Sequence, residues 1–90
     1  MTKREKRLTR WLNNPPSEVP RDQVIAMIDY YFPDQYEWDD GSHIVVNDER
    51  LRGISGFGPE GDFTVVIKSG KSVKGLYLKR LATAIQYLSE

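Results

Sequence analysis

The chain has 90 residues, 39% hydrophobic and 11% aromatic, with 13 basic and 13 acidic side chains, no cysteine and one histidine. That length makes a single domain over residues 1–90 with one core, and the apolar share is that of a folded chain rather than a disordered one. Disulfides, thiolate metal sites and thiol catalysis are excluded, a histidine metal cluster has too few histidines, and no apolar run nears the roughly 18 residues of a membrane span, so a cytoplasmic protein is expected.

Zero net charge hides three blocks. Residues 1–21 carry six basic and two acidic side chains, a net of +4. Residues 22–62 carry two basic and ten acidic, a net of −8, and residues 63–90 five basic and one acidic, again +4. If the two basic ends meet in the fold they form a cationic surface able to hold phosphates. The alternative is that they only neutralise the acidic middle.

Residues 1–13 place Leu8, Trp11 and Leu12 at i, i+3 and i+4, one face of a short basic helix. It is either a solvated helix docked on one side or a cationic arm for RNA or a partner. Asn13-Asn14-Pro15-Pro16 ends it, because the residue before proline is pushed out of the helical region. A second helix is predicted from about Pro20, with Val24, Met27, Ile28 and Tyr31 on one stripe and Pro33 as the stop. Met27 in that stripe reads as core.

Tyr36-Glu37-Trp38-Asp39 alternates as a strand, and Asp40-Gly41 predicts a two-residue hairpin turn. A second strand then runs from Ser42 to Asn47. In that register Trp38 faces His43, and cross-strand partners share a face. Residues 48–61, with four glycines and a proline, read as a long hairpin loop with little structure of its own. Its Leu51, Ile54 and Phe57 either fold back on the sheet or meet a partner. Phe63–Lys68 is the clearest strand, Ser69-Gly70-Lys71 a turn, and 76–88 the best-patterned helix, with Leu78, Leu81, Ala82 and Ile85 on its stripe. The predicted fold class is α+β: a three-stranded antiparallel sheet with helices on one face.

Gly41-Ser42-His43 is the candidate chemical centre. A histidine titrates near neutral pH, so it can take a proton from a ribose 2′-hydroxyl or give one to a leaving oxygen. RNA cuts itself once its 2′-oxygen attacks the neighbouring phosphate, and this needs a proton acceptor, positive charge and positioning, with no cofactor and no metal. Ser42 can donate a hydrogen bond, Gly41 permits close backbone approach, and Lys68, Lys71 and Lys74 are candidate phosphate ligands. Asp39 and Asp40 as adjacent strand residues point to opposite faces, which argues against a metal site. The alternative is a surface turn that happens to hold a histidine.

Three features together resemble the HicA-like mRNA interferases, toxins of bacterial type II toxin–antitoxin pairs. They are the Asn13-Asn14-Pro15 junction before an amphipathic helix, Gly41-Ser42-His43 opening a strand, and Val65-Val66-Ile67 with Gly70-Lys71-Ser72-Val73-Lys74 leading into the last helix. The resemblance spans residues 7–88. It implies a double-stranded-RNA-binding-domain-like fold, endoribonuclease activity on mRNA, His43 as the catalytic residue, and a HicB-like antitoxin as the partner covering that site. This chain departs from the pattern in its neutral charge, in Asp39 and Asp40 where Lys or Arg is usual, in Ile44 where a second histidine is frequent, and in the length of 48–61. The alternative function is a catalytically silent RNA- or protein-binding module of the same fold.

Overall fold

The computed structural model describes residues 2–88; Met1 of the expected first helix, and Ser89 and Glu90 of the expected domain, lie outside the described residues. A capping box starts α1 (Lys3–Asn13): the Thr2 hydroxyl accepts the Glu5 N–H at 3.1 Å, and the Glu5 carboxylate accepts the Thr2 N–H at 3.2 Å. Two N–H groups that helix geometry leaves orphaned are thereby satisfied. The apolar stripe packs as its spacing predicts, with Trp11 buried and Leu8 and Leu12 beside it.

After the prolines come β1 (Glu18–Pro20) and α2 (Arg21–Tyr31), then β2 (Tyr36–Asp39), β3 (His43–Asn47), a 3-10 turn at Glu49–Leu51, β4 (Asp62–Val66), β5 (Ser72–Lys74) and α3 (Gly75–Leu88). Strands β2, β3 and β4 form an antiparallel sheet in that order. Their burial alternates: Ile44, Val46, Phe63 and Val65 are buried, while His43, Val45, Thr64 and Val66 on the other face are half-buried. The buried face meets the stripes of the helices, Val24, Met27 and Ile28 from α2 and Leu78, Leu81, Ala82 and Ile85 from α3. Removing one such aliphatic side chain from water stabilises the fold by about 1.5–3 kcal/mol. The molecule is an α+β fold with a small antiparallel sheet and three helices among the described residues.

Two features were not expected. Strands β1 and β5 pair as a separate two-stranded ribbon, with Glu18 opposite Lys74 and Val19 opposite Val73. Each is only three residues long and their pairing spans more than fifty positions, so neither alternation nor turn chemistry announces it. The 48–61 stretch is also not a structureless loop. The buried Asp48 caps the 3-10 turn by accepting the Arg50 N–H at 3.0 Å, and it holds the Arg50 guanidinium at 2.7 Å. Leu51 is buried, and Phe57 meets Phe63 edge to face at 5.6 Å, so the segment folds back over the core. A buried carboxylate and a closely packed Gly61 fold the stretch, and glycine content alone conceals both.

Candidate functional site

His43 sits where β3 begins, one residue after a turn of Asp40, Gly41 and Ser42. Asp40 and Gly41 both have positive φ, 48° and 80°. The turn is one residue longer than an Asp-Gly hairpin predicts. Ser42 does not enter the ladder with β2, because Asp39 pairs with His43 and Trp38 with Ile44. The carbonyl of Ser42 accepts the Ile67 N–H at 2.8 Å, so the chain after β4 holds it. This register corrects the expected one: Trp38 shares a face with Ile44, and His43 shares the opposite face with Asp39, Val45 and Val66. A shift of one residue moves every side chain to the other face, and burial of Ile44 and Val46 decides which register wins.

Around the imidazole the turn builds a small polar cluster. Nδ1 of His43 lies 2.9 Å from the Ser42 hydroxyl and 3.3 Å from Oδ1 of Asp40. The Ser42 hydroxyl in turn donates to the same Asp40 oxygen at 2.9 Å. Hydrogen bonds from Ser42, then from His43, hold the Asp40 carboxyl below the ordinary carboxylate range, so it is ionised at neutral pH. An ionised carboxylate only accepts. With the Ser42 hydrogen committed to Asp40, a proton on Nδ1 satisfies all three groups, and the lone pair is left on Nε2. The His43 side chain is 40% exposed, and Nε2 has no hydrogen-bond partner among the described residues. Chemically this is a base whose tautomer is set from one side and whose reactive nitrogen is open on the other.

Two of the three lysines, Lys68 and Lys74, lie near a second carboxylate, Glu18. Lys68 follows Ile67, the residue tied to Ser42, which brings the backbone of Lys68 to the His43 end of the sheet. Its ammonium is 3.6 Å from Glu18. Glu18 also accepts the Ser72 hydroxyl at 2.6 Å, and Ser72 with Lys68 holds the Glu18 carboxyl below its ordinary range. Lys74 stands opposite Glu18 in the ribbon. Lys71 is exposed in the 69–71 turn, where its carbonyl accepts the Arg21 N–H at 3.0 Å.

Sequence reasoning left two participants out of the candidate site. Asp40 stands in the sequence as an acid where Lys or Arg is usual, yet its carboxylate lies against Nδ1 of His43; the signal was an Asx-type residue three positions before the histidine and next to glycine. Arg21 donates to the Gly70 carbonyl at 3.3 Å, and its guanidinium lies 5.3 Å from the ring centre of Trp38. That contact joins α2, the 69–71 turn and β2. Among the described residues no three His, Cys, Asp or Glu side chains are grouped to hold a metal ion, and no helix is long and apolar enough to cross a membrane. No protein-family model, no curated protein and no solved structure matches the chain.

Proposed function

We propose that this chain is an endoribonuclease of the HicA-like kind, on a double-stranded-RNA-binding-domain-like fold: the toxin of a toxin–antitoxin pair, acting on mRNA and restrained by a HicB-like antitoxin. The carrying observation is the Asp40–Ser42–His43 cluster, which leaves Nε2 of a half-exposed histidine open to substrate. In the reaction, Nε2 takes the proton of a ribose 2′-hydroxyl. The 2′-oxygen bonds to the adjacent phosphorus, the bond from phosphorus to the 5′-oxygen breaks, and that oxygen takes a proton from the imidazolium or from water. Lys68, Lys71 and Lys74 supply positive charge toward the phosphate.

The test is cleavage of an end-labelled RNA in the presence of a chelator. The unchanged chain leaves a 2′,3′-cyclic phosphate or its 3′-phosphate product, and a substrate with a single 2′-deoxy position resists cutting there. His43→Ala lowers the rate by about 10²–10⁴. Equal cutting by His43→Ala overturns the catalytic role.

A second reading, a catalytically silent RNA- or protein-binding module, is favoured by the carboxylates on the His43 face. Glu37 and Asp39 are exposed there, and Lys68 is already paired with Glu18. Salt separates the two kinds of partner: binding to RNA weakens steeply with added salt, and an apolar protein contact does not.

A further inference from the structure

A concentration of unneutralised charge lies on α1. That helix carries Lys3, Arg4, Lys6, Arg7 and Arg10 against one acid, Glu5, and Glu5 is committed to the capping box with Thr2. Arg4 is drawn over the Tyr30 ring at 3.5 Å. Lys3, Lys6, Arg7 and Arg10 remain, and among the described residues their side chains form no ion pair and no hydrogen bond. Lys6, Arg7 and Arg10 line one cleft of about 290 Å³ together with Gln23 of α2.

We infer that this cleft is an RNA-backbone site: Lys6, Arg7 and Arg10 hold phosphates of the strand flanking the cut, and Gln23 hydrogen-bonds its sugar or phosphate oxygens. The inference rests on reading the chain as an RNA-binding domain. The three cations stand at i, i+1 and i+4, so Lys6 with Arg10, and Arg7 with Arg10, are surface neighbours about 5–6 Å apart at Cβ. Like charges so placed repel one another unless a polyanion lies across them. A protein partner is the weaker fit, because interfaces need apolar anchors to bury. The apolar floor here is already spent: Trp11 is 1% exposed and Val19 8%. Gln23 lines the cleft, and Arg21 in the same first turn of α2 reaches Gly70 and also Trp38, a residue of the strand that enters the Asp40–Ser42 turn, so the start of α2 touches both the cleft and that strand.

The test is fluorescence anisotropy with a labelled single-stranded RNA of mixed sequence, all proteins carrying His43→Ala to prevent cutting. One variant adds Lys6→Gln, Arg7→Gln and Arg10→Gln. Glutamine keeps helix propensity, so α1 stays folded, which a thermal melt verifies. The control variant adds Lys79→Gln and Arg80→Gln, two cations that line a different cleft on α3. Loss of three phosphate contacts is expected to weaken binding about hundredfold at ~0.1 M salt and to reduce the slope of log affinity against log salt by about 2. The control is expected to stay within a few-fold of its parent. Unchanged RNA affinity in the triple variant overturns the inference, as does an equal loss in the control, which would mean diffuse attraction. Loss of binding to poly-glutamate with RNA binding intact also overturns it and assigns the cleft to an acidic protein. If the triple variant loses RNA binding while the unchanged chain never cuts RNA, the cleft stands and the catalytic reading falls. If the triple variant binds normally and the unchanged chain cuts, the reverse holds. RNA binding by none of these proteins overturns both.

Discussion

At the scale of single residues, the proposed chemistry depends on which ring nitrogen of His43 carries the proton. Asp40 approaches Nδ1 only because its own φ is 48°, a conformation that Asp tolerates through local hydrogen bonding. Asp40-Gly41 does announce the left-handed turn, since a hairpin turn there needs positive φ at both positions, but not that Ser42 joins the turn and brings the Asp40 carboxylate against Nδ1. That is why Asp40 was legible as a charge and not as an orienting group. His43 itself was legible, since it is the only side chain of its kind. The tautomer is measurable. In the unchanged protein, nitrogen shifts of the neutral imidazole are expected to report mainly the Nδ1–H form. Asp40→Ala removes the acceptor and moves the population toward Nε2–H, and on the proposed mechanism RNA cutting falls by about tenfold or more. The same tautomer in both proteins would mean that Asp40 orients nothing.

At the scale of elements, periodic segments were readable and irregular ones were not. The stripes of α1, α2 and α3 repeat every three or four residues within one element, so the buried residues Trp11, Val24, Met27, Ile28, Leu78, Leu81 and Ile85 follow from spacing. The register of β2 against β3 turns on one residue of turn length, which Asp-Gly alone leaves ambiguous. The 48–61 segment is organised by contacts that spacing does not encode. The Asp48 N–H donates to the Gly61 carbonyl at 3.1 Å, and Gly61 has φ 77° with its Cα facing the Asp48 carbonyl so closely that a Cβ would lie 2.0 Å from that oxygen. Gly41 also has positive φ, but a Cβ there meets nothing within 4 Å. The two glycines therefore separate strain from collision. Gly41→Ala is expected to cost about 1–2 kcal/mol from the left-handed backbone alone. Gly61→Ala adds displacement of the Asp48 backbone and is expected to cost about 3 kcal/mol or more. Urea unfolding of the two variants decides the matter; a Gly61→Ala protein no less stable than Gly41→Ala would show that the segment does not hold this close packing.

Across the whole molecule the two basic blocks meet in one specific contact, while Lys6, Arg7 and Arg10 of the first block form no ion pair among the described residues. Glu18 from the basic first block binds Lys68 and Ser72 of the basic last block, so the two ends do meet, but around a carboxylate. That ribbon ties the segment after α1 to the segment before α3, and the Gly75 N–H donates to the Ser17 carbonyl at 2.9 Å just beyond it. Asp48 does the equivalent work within the acidic middle, where hydrogen bonds from Arg50 outweigh its burial and keep its carboxyl below the usual range. Glu5, Glu18, Asp40 and Asp48 are thus all lowered in the folded chain, each by hydrogen bonds to its ionised form. The sign of the consequence is fixed by linkage. A carboxyl whose folded pKa lies below its unfolded value binds fewer protons in the folded state, so it adds stability above the unfolded pKa and loses it as pH falls through the folded one. Unfolded Asp and Glu titrate at about 3.9 and 4.3, so thermal unfolding midpoints should be level from neutral pH down to about 5 with respect to these groups and then fall progressively below it. Asp48 contributes most of the buried part, since its side chain is 1% exposed while the other three are at the surface. Asp48→Asn is therefore expected to lower the midpoint at neutral pH and to flatten its fall in acid, whereas Glu18→Gln should change both only slightly, as surface pairs do. If Asp48→Asn keeps the full acid slope of the unchanged chain, the Asp48–Arg50 pair is not what the fold loses when it is protonated.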